Sequence, residues 1–513
     1  MDRVRRTVVG LAVPGARPLT PVQSAAKPAG GGKVYPMHTG AHPDDPTLPA
    51  PDPLHTLLNR CCYGVGLAEW NRGLRLGFVG WLTRQLDYLA LDDSAVDTTV
   101  ASTWPRVTMS ASDLLNDARV NSNPQKAAAD LRAATLYRQI FSRRQLYETM
   151  VEFWGDHFNI ASLASPESYY KNVDDRDVIR VHALGYFRDM LHASARSLAM
   201  LYYLDNVSNR NTGPNENYAR ELMELHTLGV DGGYTEHDVS EVARCFTGWT
   251  VTGANVGAPI FSFLSGRHDS AAKVVLGRVI GAGGDLSDGN SVLDILAAHP
   301  STARHVASKL CIRFIGDSPQ QSVVDAVAAS FTDSDGHIPT VLMTLFGSAE
   351  FMASYDRKLR RPQDYVLACL RASDATMTGS YLTSIISRLN TLGQLPFRWP
   401  TPDGYPDAMD DWINSGALLN RWNWAFAVAE GRAGGIALDL GGLAETANTP
   451  TALVDRLGER VLHRLLSGAD RDALIAFAAN GGAVDRVMTT AETSTRSREL
   501  IGLLLSSPYF QYR

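Results

Sequence analysis

The strongest constraint on the fold is the helical spacing of apolar side chains over long stretches of this chain. Leu131, Leu136, Ile140, Leu146, Met150 and Phe153 form a stripe through residues 127–157. That spacing suits an amphipathic helix, not a strand. Similar stripes recur at 178–203 and 292–315, and then at intervals to residue 506. Near the start, Asp52-Pro53 opens a helix carrying Leu54, Leu57 and Leu58. Asp suits the cap and Pro the first helical position. Short helices are expected at 67–74 and 78–89, and residues 91–125 read as a long polar loop. Residues 252–282 differ: Pro259-Ile-Phe-Ser-Phe263 and Val274-Val-Leu276 are short, β-prone and bounded by glycine. Residues 393–412 are rich in Pro, Trp and Gly and cannot be helical throughout. The expected fold is mainly α. It is a large multi-helix single domain over 51–513, with a small β-hairpin, lid-like insertion near 255–280 and an irregular Pro/Trp-rich segment near 393–412.

Composition excludes several function classes. The formal charge of −6 gives the molecule no overall pull toward nucleic acid or an anionic membrane. No apolar run reaches the roughly 18 residues a spanning helix needs. The five cysteines, Cys61, Cys62, Cys245, Cys311 and Cys369, lack zinc-finger spacing and are expected to be buried free thiols. Residues 1–50 read as a disordered tail or a weak export signal: Arg5-Arg6 precedes a short apolar stretch that Pro14 interrupts. The compartment stays open between cytoplasm and export.

The most informative segment is Asn215 to Trp249. Its first part, through Leu228, is expected to be a helix that Gly229 stops. At 100° per residue, Asn217, Arg220, Glu221 and Glu224 share one arc, and His226 points away from Glu224. Thr235-Glu-His-Asp238 then starts a second helix with a capping box. On it Asp238, Glu241 and Cys245 share an arc, with Trp249 at the edge of the apolar one. A short connection makes the two helices antiparallel neighbours, so their carboxylates can converge. Two readings stand: a carboxylate cleft with Arg220 and Arg244 keeping some members ionised, or solvated faces laced with i,i+4 pairs. Spacing alone favours the second.

The string Asn217-Tyr-Ala-Arg-Glu-Leu-Met-Glu-Leu-His-Thr-Leu-Gly-Val230, followed by Gly233-Tyr-Thr-Glu and Phe246-Thr-Gly-Trp249, closely resembles the DUF1800 signature. Trp154-Gly-Asp-His-Phe158, His268-Asp269 with Lys273, Arg361-Pro362 and Pro402-Asp-Gly-Tyr-Pro406 extend the resemblance over residues 51–513. It implies a bacterial protein of unassigned function, often encoded beside a sulfatase-like DUF1501 protein. It supplies no catalytic residues.

Other chemistry was weighed residue by residue. His157 could be a base or metal ligand, or a hydrogen-bonded core residue. His268 and Asp269 are loop candidates, with turn chemistry as the alternative. Glu221 and Glu224 lack the Glu-x-x-His repeat of a di-iron bundle. Arg357, Lys358, Arg360 and Arg361 form a basic cluster, read as a solvated face rather than an anion site. Trp399 and Trp412 belong to an aromatic-dense stretch that either packs or stacks on sugar rings. The leading expectation is a hydrolase-like enzyme using Glu221 and Asp238 as an acid/base pair on a carbohydrate or other polar polymer. Glu224 and Glu241 lie nearby, and Arg220, Arg244, Asn217, Trp249, Trp399 and Trp412 would hold substrate. The alternatives are a non-catalytic partner or export factor for a sulfatase-like protein, and a metal enzyme using His157 and His268. Metal and cofactor remain unknown.

Overall fold

Helices carry nearly all the regular structure in the computed structural model, which describes residues 50–513; the tail and its export reading lie outside those residues. The first helix, Pro53–Cys61, starts as its sequence dictates: the Asp52 carboxylate accepts from the Leu54 N–H at 2.7 Å. Leu67–Leu86 bends where two helices were expected, at Gly77, whose φ of 67° a side chain rarely tolerates. The expected loop at 91–125 instead contains helices Ser94–Thr103 and Ala111–Asn121. Each buries only two apolar residues (Val96 and Val100, Leu114 and Leu115), a stripe too thin to register as periodicity.

The insertion holds two hairpins where one was expected. Trp249–Thr252 pairs antiparallel with Ile260–Phe263, Trp249 opposite Phe263. Lys273–Val275 pairs with Arg278–Ile280, turning through Leu276-Gly277. Residues 393–408 are irregular, and only a single 3-10 turn, Met409–Asp411, follows before Trp412.

One large core joins most of the helices. Trp154, Phe187, Phe246 and Trp249 are fully buried in it. The Trp154 indole N–H donates to the Ala183 carbonyl at 3.0 Å, so the polar atom of a buried ring is satisfied. Trp249 lies so close to Gly289 that a Cβ there would meet its ring at 2.6 Å. Burying one such aromatic ring stabilises the fold by up to about 4–6 kcal/mol. No helix of the described residues is long and apolar enough to cross a membrane. All five thiols are free and buried.

Apart from the exposed Arg357, the basic cluster is not a solvated face. Lys358, Arg360 and Arg361 are 1–2% exposed. Local sequence could not show this, because the carboxylates that make such burial tolerable come from other segments.

Candidate active site

The site is built upward from that buried charge. Glu152 and Asp156 stand one turn apart on the Gln145–His157 helix, on the same face. The Arg361 guanidinium donates to Glu152 at 2.6 Å and to Asp156 at 3.2 Å. Arg313, from the Pro300–Phe314 helix, donates to the other Glu152 oxygen at 2.9 Å and to Asp407 at 3.1 Å. The Tyr63 hydroxyl adds a third donor to Glu152 at 2.6 Å. Lys358 donates to the Asp407 carbonyl at 2.6 Å. Glu152 is thus saturated with donors, whereas Asp156 has the one arginine contact and sits at the solvent side of the network, its side chain 22% exposed.

The Pro/Trp-rich segment closes over this floor. Asn159 donates to the Trp399 and Thr401 carbonyls at 3.1 and 2.6 Å. The Tyr203 hydroxyl donates to the Pro400 carbonyl at 2.9 Å. Gly404 is required: its φ is 75°, and a Cβ there would collide with the Asp156 carbonyl. These ties bring Asp403 and Asp407 to Asp156. Trp399 remains half-buried and donates its indole N–H to Asp403 at 2.8 Å. Trp412 is buried and donates to the Pro406 carbonyl, so it packs the segment and does not face a ligand.

The other wall comes from the motif, in a form the helical wheel could not show. Asn217–Glu221 is α-helical, but Leu222–Thr227 is a π-helix, and the Thr227 hydroxyl donates to the Leu222 carbonyl at 2.6 Å. Wider turns shift every later side chain out of the 100° phase; such turns are frequent at functional sites. His226 therefore enters the core, 1% exposed, its ring 5.0 Å from Phe158. Glu221 and Glu224 stay half-buried. Among the described residues none hydrogen-bonds or ion-pairs with the Glu221 carboxyl, while the Tyr234 hydroxyl lies against Glu224.

Electrostatics link the two walls. Burial, then Glu224, raise Glu221 to about 7 against the opposing pull of Arg220, and Asp403 adds to the rise. Burial also raises Asp156 to about 7: dehydration with Glu152 and Asp407 alongside outweighs Arg361 and Arg313. Lys309 feels Asp407, Asp156 and Asp403, and burial lowers it. Asp403 thus acts on both Glu221 and Lys309. The cluster thus holds two carboxyls poised between acid and base near neutral pH, plus an amine.

Several expected site residues do something else. Asp238 cannot pair with Glu221 as acid and base, because both its oxygens are engaged. One accepts from Thr235 in the capping box, and the other from the Leu276 N–H at 2.8 Å. Burial opposes its ionisation, but these donors hold it below the usual carboxylate range. Glu241 accepts from the Val274 N–H at 2.7 Å and from Arg244 at 2.6 Å. Arg244 also grips Asp269 at 2.7 Å and lowers it to about 2. His268 bonds the Thr247 carbonyl at 2.8 Å and Asp288 at 3.2 Å, and Lys273 reaches Asp288 at 2.5 Å. These residues clamp the second hairpin onto the Glu236–Cys245 helix and onto Asp288 of the next helix. Arg220 staples Glu236 at 2.7 Å and Glu216 at 3.3 Å. Asn217 is exposed, and Trp249 is fully buried. His157 donates to the His226 carbonyl at 3.0 Å, so His157 and His268 belong to different clusters and do not meet as a ligand pair. Among the described residues no group of three or more His, Cys, Asp or Glu could hold a metal ion.

Sequence reasoning missed Glu152, Lys309, Arg313, Asp403 and Asp407, and gave Asp156 only a neighbour's part. One signal was present. Glu152 and Asp156 lie four residues apart on a helix whose other side chains, Leu146, Met150, Phe153 and Trp154, are all core. Acids on so apolar a helix need distant partners.

Fold and site together define a mainly α single-domain protein in which carboxylates from separate segments gather over buried arginines. The family model described as "Protein of unknown function (DUF1800)" matches residues 56–512, nearly the whole chain, and the chain belongs to that family. No curated protein and no solved structure gives a significant match.

Proposed function

We propose that the chain is an enzyme using paired carboxyl groups for acid/base chemistry, hydrolase-like, on a carbohydrate or other polar polymer. The observation that carries this is Glu221, half-buried, without a hydrogen-bond partner among the described residues and raised to about 7. A carboxyl that remains protonated at neutral pH is what a general acid needs. The partner is Asp156 rather than Asp238, since Asp156 is the other carboxyl poised near neutrality. Asp403 acts on Glu221 and on Lys309, and Lys309 in turn feels Asp156, so the two carboxyls are linked through these groups and can divide acid and base roles as a substrate turns over. Trp399 at the rim offers an aromatic edge to a sugar ring. Carboxyl carbon-13 NMR of the protein, with Glu221→Gln for assignment, tests the premise. Titration of Glu221 between pH 6 and 8 supports it, and titration below pH 5 refutes it.

The second reading is the sulfatase-like partner role that the family resemblance implies. It is supported by Leu74 and Val79, which are 57 and 65% exposed on either side of the Gly77 bend. Co-purification with that neighbour, lost when Val79→Asp is introduced, would favour it over catalysis.

A further inference from the structure

The chain has seven lysines, five of them among the described residues. Three of those five are buried and paired to an aspartate: Lys171 with Asp174 at 2.6 Å, Lys273 with Asp288 at 2.5 Å and Lys358 with Asp317 at 2.5 Å. Lys126 lies half-exposed at the start of a helix. Lys309 is different. It is half-buried and makes no hydrogen bond or ion pair with any described residue. Asp407, Asp156 and Asp403 act on it only at longer range, as it acts on the His157, His226 and His305 imidazoles.

The tautomers of two of those imidazoles, His157 and His305, follow from their partners. His157 Nε2 faces the His226 carbonyl at 3.0 Å and His305 Nε2 faces the Leu225 carbonyl at 3.1 Å, so both nitrogens must carry hydrogen. Burial keeps all three rings neutral, with His305 lowered to about 4 and His226 to about 3. A neutral ring with hydrogen on Nε2 has a bare lone pair on Nδ1. The Nδ1 of His157 is buried with no partner, and so is Nε2 of His226. The ring centroids lie 6.1 Å (His157 to His226) and 6.2 Å (His157 to His305) apart. Lys309 stands one turn from His305 on the Pro300–Phe314 helix and has no ion pair with a described residue, a setting that favours the free base.

We propose that Lys309 is a nucleophilic amine that captures an aldehyde or ketone carbon, such as that of an open-chain sugar, as a covalent imine. The step rests on this carboxyl cluster being the substrate site. The Nζ lone pair adds to the carbonyl carbon while the C=O π electrons move to oxygen. An imidazole lone pair takes a proton from the nitrogen and passes it to that oxygen, Asp156 gives the oxygen its second proton, and the nitrogen lone pair expels it as water to leave the protonated imine. One water leaves for each imine formed, and nothing is oxidised or reduced. An amine exposed and unperturbed would be almost wholly protonated at pH 7 and slow in this step.

Glyceraldehyde with sodium cyanoborohydride at pH 7 tests the proposal on the full chain, because the reagent's hydride fixes an imine as a stable secondary amine. Peptide mass spectrometry then compares Lys309 with Lys126 in the same molecule. The expected result is labelling of Lys309 at least about tenfold faster, because burial lowers it and leaves more of it as the free amine. It should vanish in Lys309→Arg, whose melting curve checks folding. Labelling of Lys309 no faster than that of Lys126 overturns the proposal. The Glu221 titration is a separate readout. A normal Glu221 with a trapped Lys309 sinks only the acid/base reading, and the reverse sinks only this one.

Discussion

Replacing Arg361 by methionine should destabilise the fold by about 3–5 kcal/mol at pH 8, the usual cost of stranding buried charge. The geometry says where that cost falls. Arg361 is 1% exposed and lies within 2.6 Å of Glu152, 3.2 Å of Asp156, 3.5 Å of Asp407 and 3.7 Å of Asp364. Glu152 keeps Arg313 and Tyr63, Asp407 keeps Arg313, and Asp364 keeps Arg513 at 2.8 Å. Asp156 keeps no ion-pair partner. Already raised to about 7 from 3.8, it binds a proton more tightly folded than unfolded. Such a group contributes stability that is fully present below its unfolded value and is lost as pH rises through its folded one. Without Arg361 the folded value rises further, so the penalty should be level near pH 5 and grow from about pH 6 to pH 8, as pH passes the wild-type folded value. Urea unfolding of both proteins, followed by tryptophan fluorescence at pH 5, 6, 7 and 8, reads the difference directly. A loss under 1 kcal/mol at pH 8, or one that does not change with pH, would refute the reasoning.

Gly404→Ala should cost about 1–3 kcal/mol through its left-handed backbone and should also displace Asp403, which a shifted Glu221 titration would report. Asp238→Asn removes the carboxylate that joins the helix cap to the Leu276 N–H, at about 1 kcal/mol for the cap. Hydrogen exchange at Leu276 should then quicken while the Gln145–His157 helix is unchanged; uniform quickening would argue against a local clamp. The five thiols should resist a disulfide reagent in the native protein and react together on unfolding, since burial raises their pKa. Glu221→Gln should abolish turnover of any polymer substrate found by screening while leaving the melting temperature within a few degrees. Retained turnover would exclude Glu221 as the acid.

The helical class and the irregular Pro/Trp-rich segment were legible because each depends on local pattern: apolar residues every three to four positions, and residues that cannot continue a helix. The π-turn at Leu222–Thr227 was not. It is closed by the Thr227 hydroxyl and by the packing of His226 against Phe158, and neither alters the apolar count along the chain. The burial of Lys358, Arg360 and Arg361 was not legible either, because Asp317, Phe510 and Glu152, which receive their hydrogen bonds, lie between about forty and two hundred residues away.

The motif residues divide along the same line. Thr235, Asp238, Glu241, Arg244, His268, Asp269 and Lys273 form a recognisable string because they lock a hairpin to the helix beside it, a task neighbours in sequence can perform. The carboxyls poised near neutrality, Glu221 and Asp156, come from segments 65 residues apart and are tuned by a third segment at 403–407. Raising a carboxyl requires taking it out of water without supplying a full counter-charge, and only tertiary packing can do that. In this protein the most recognisable string therefore mostly specifies the scaffold, and the chemistry is set where separate segments meet.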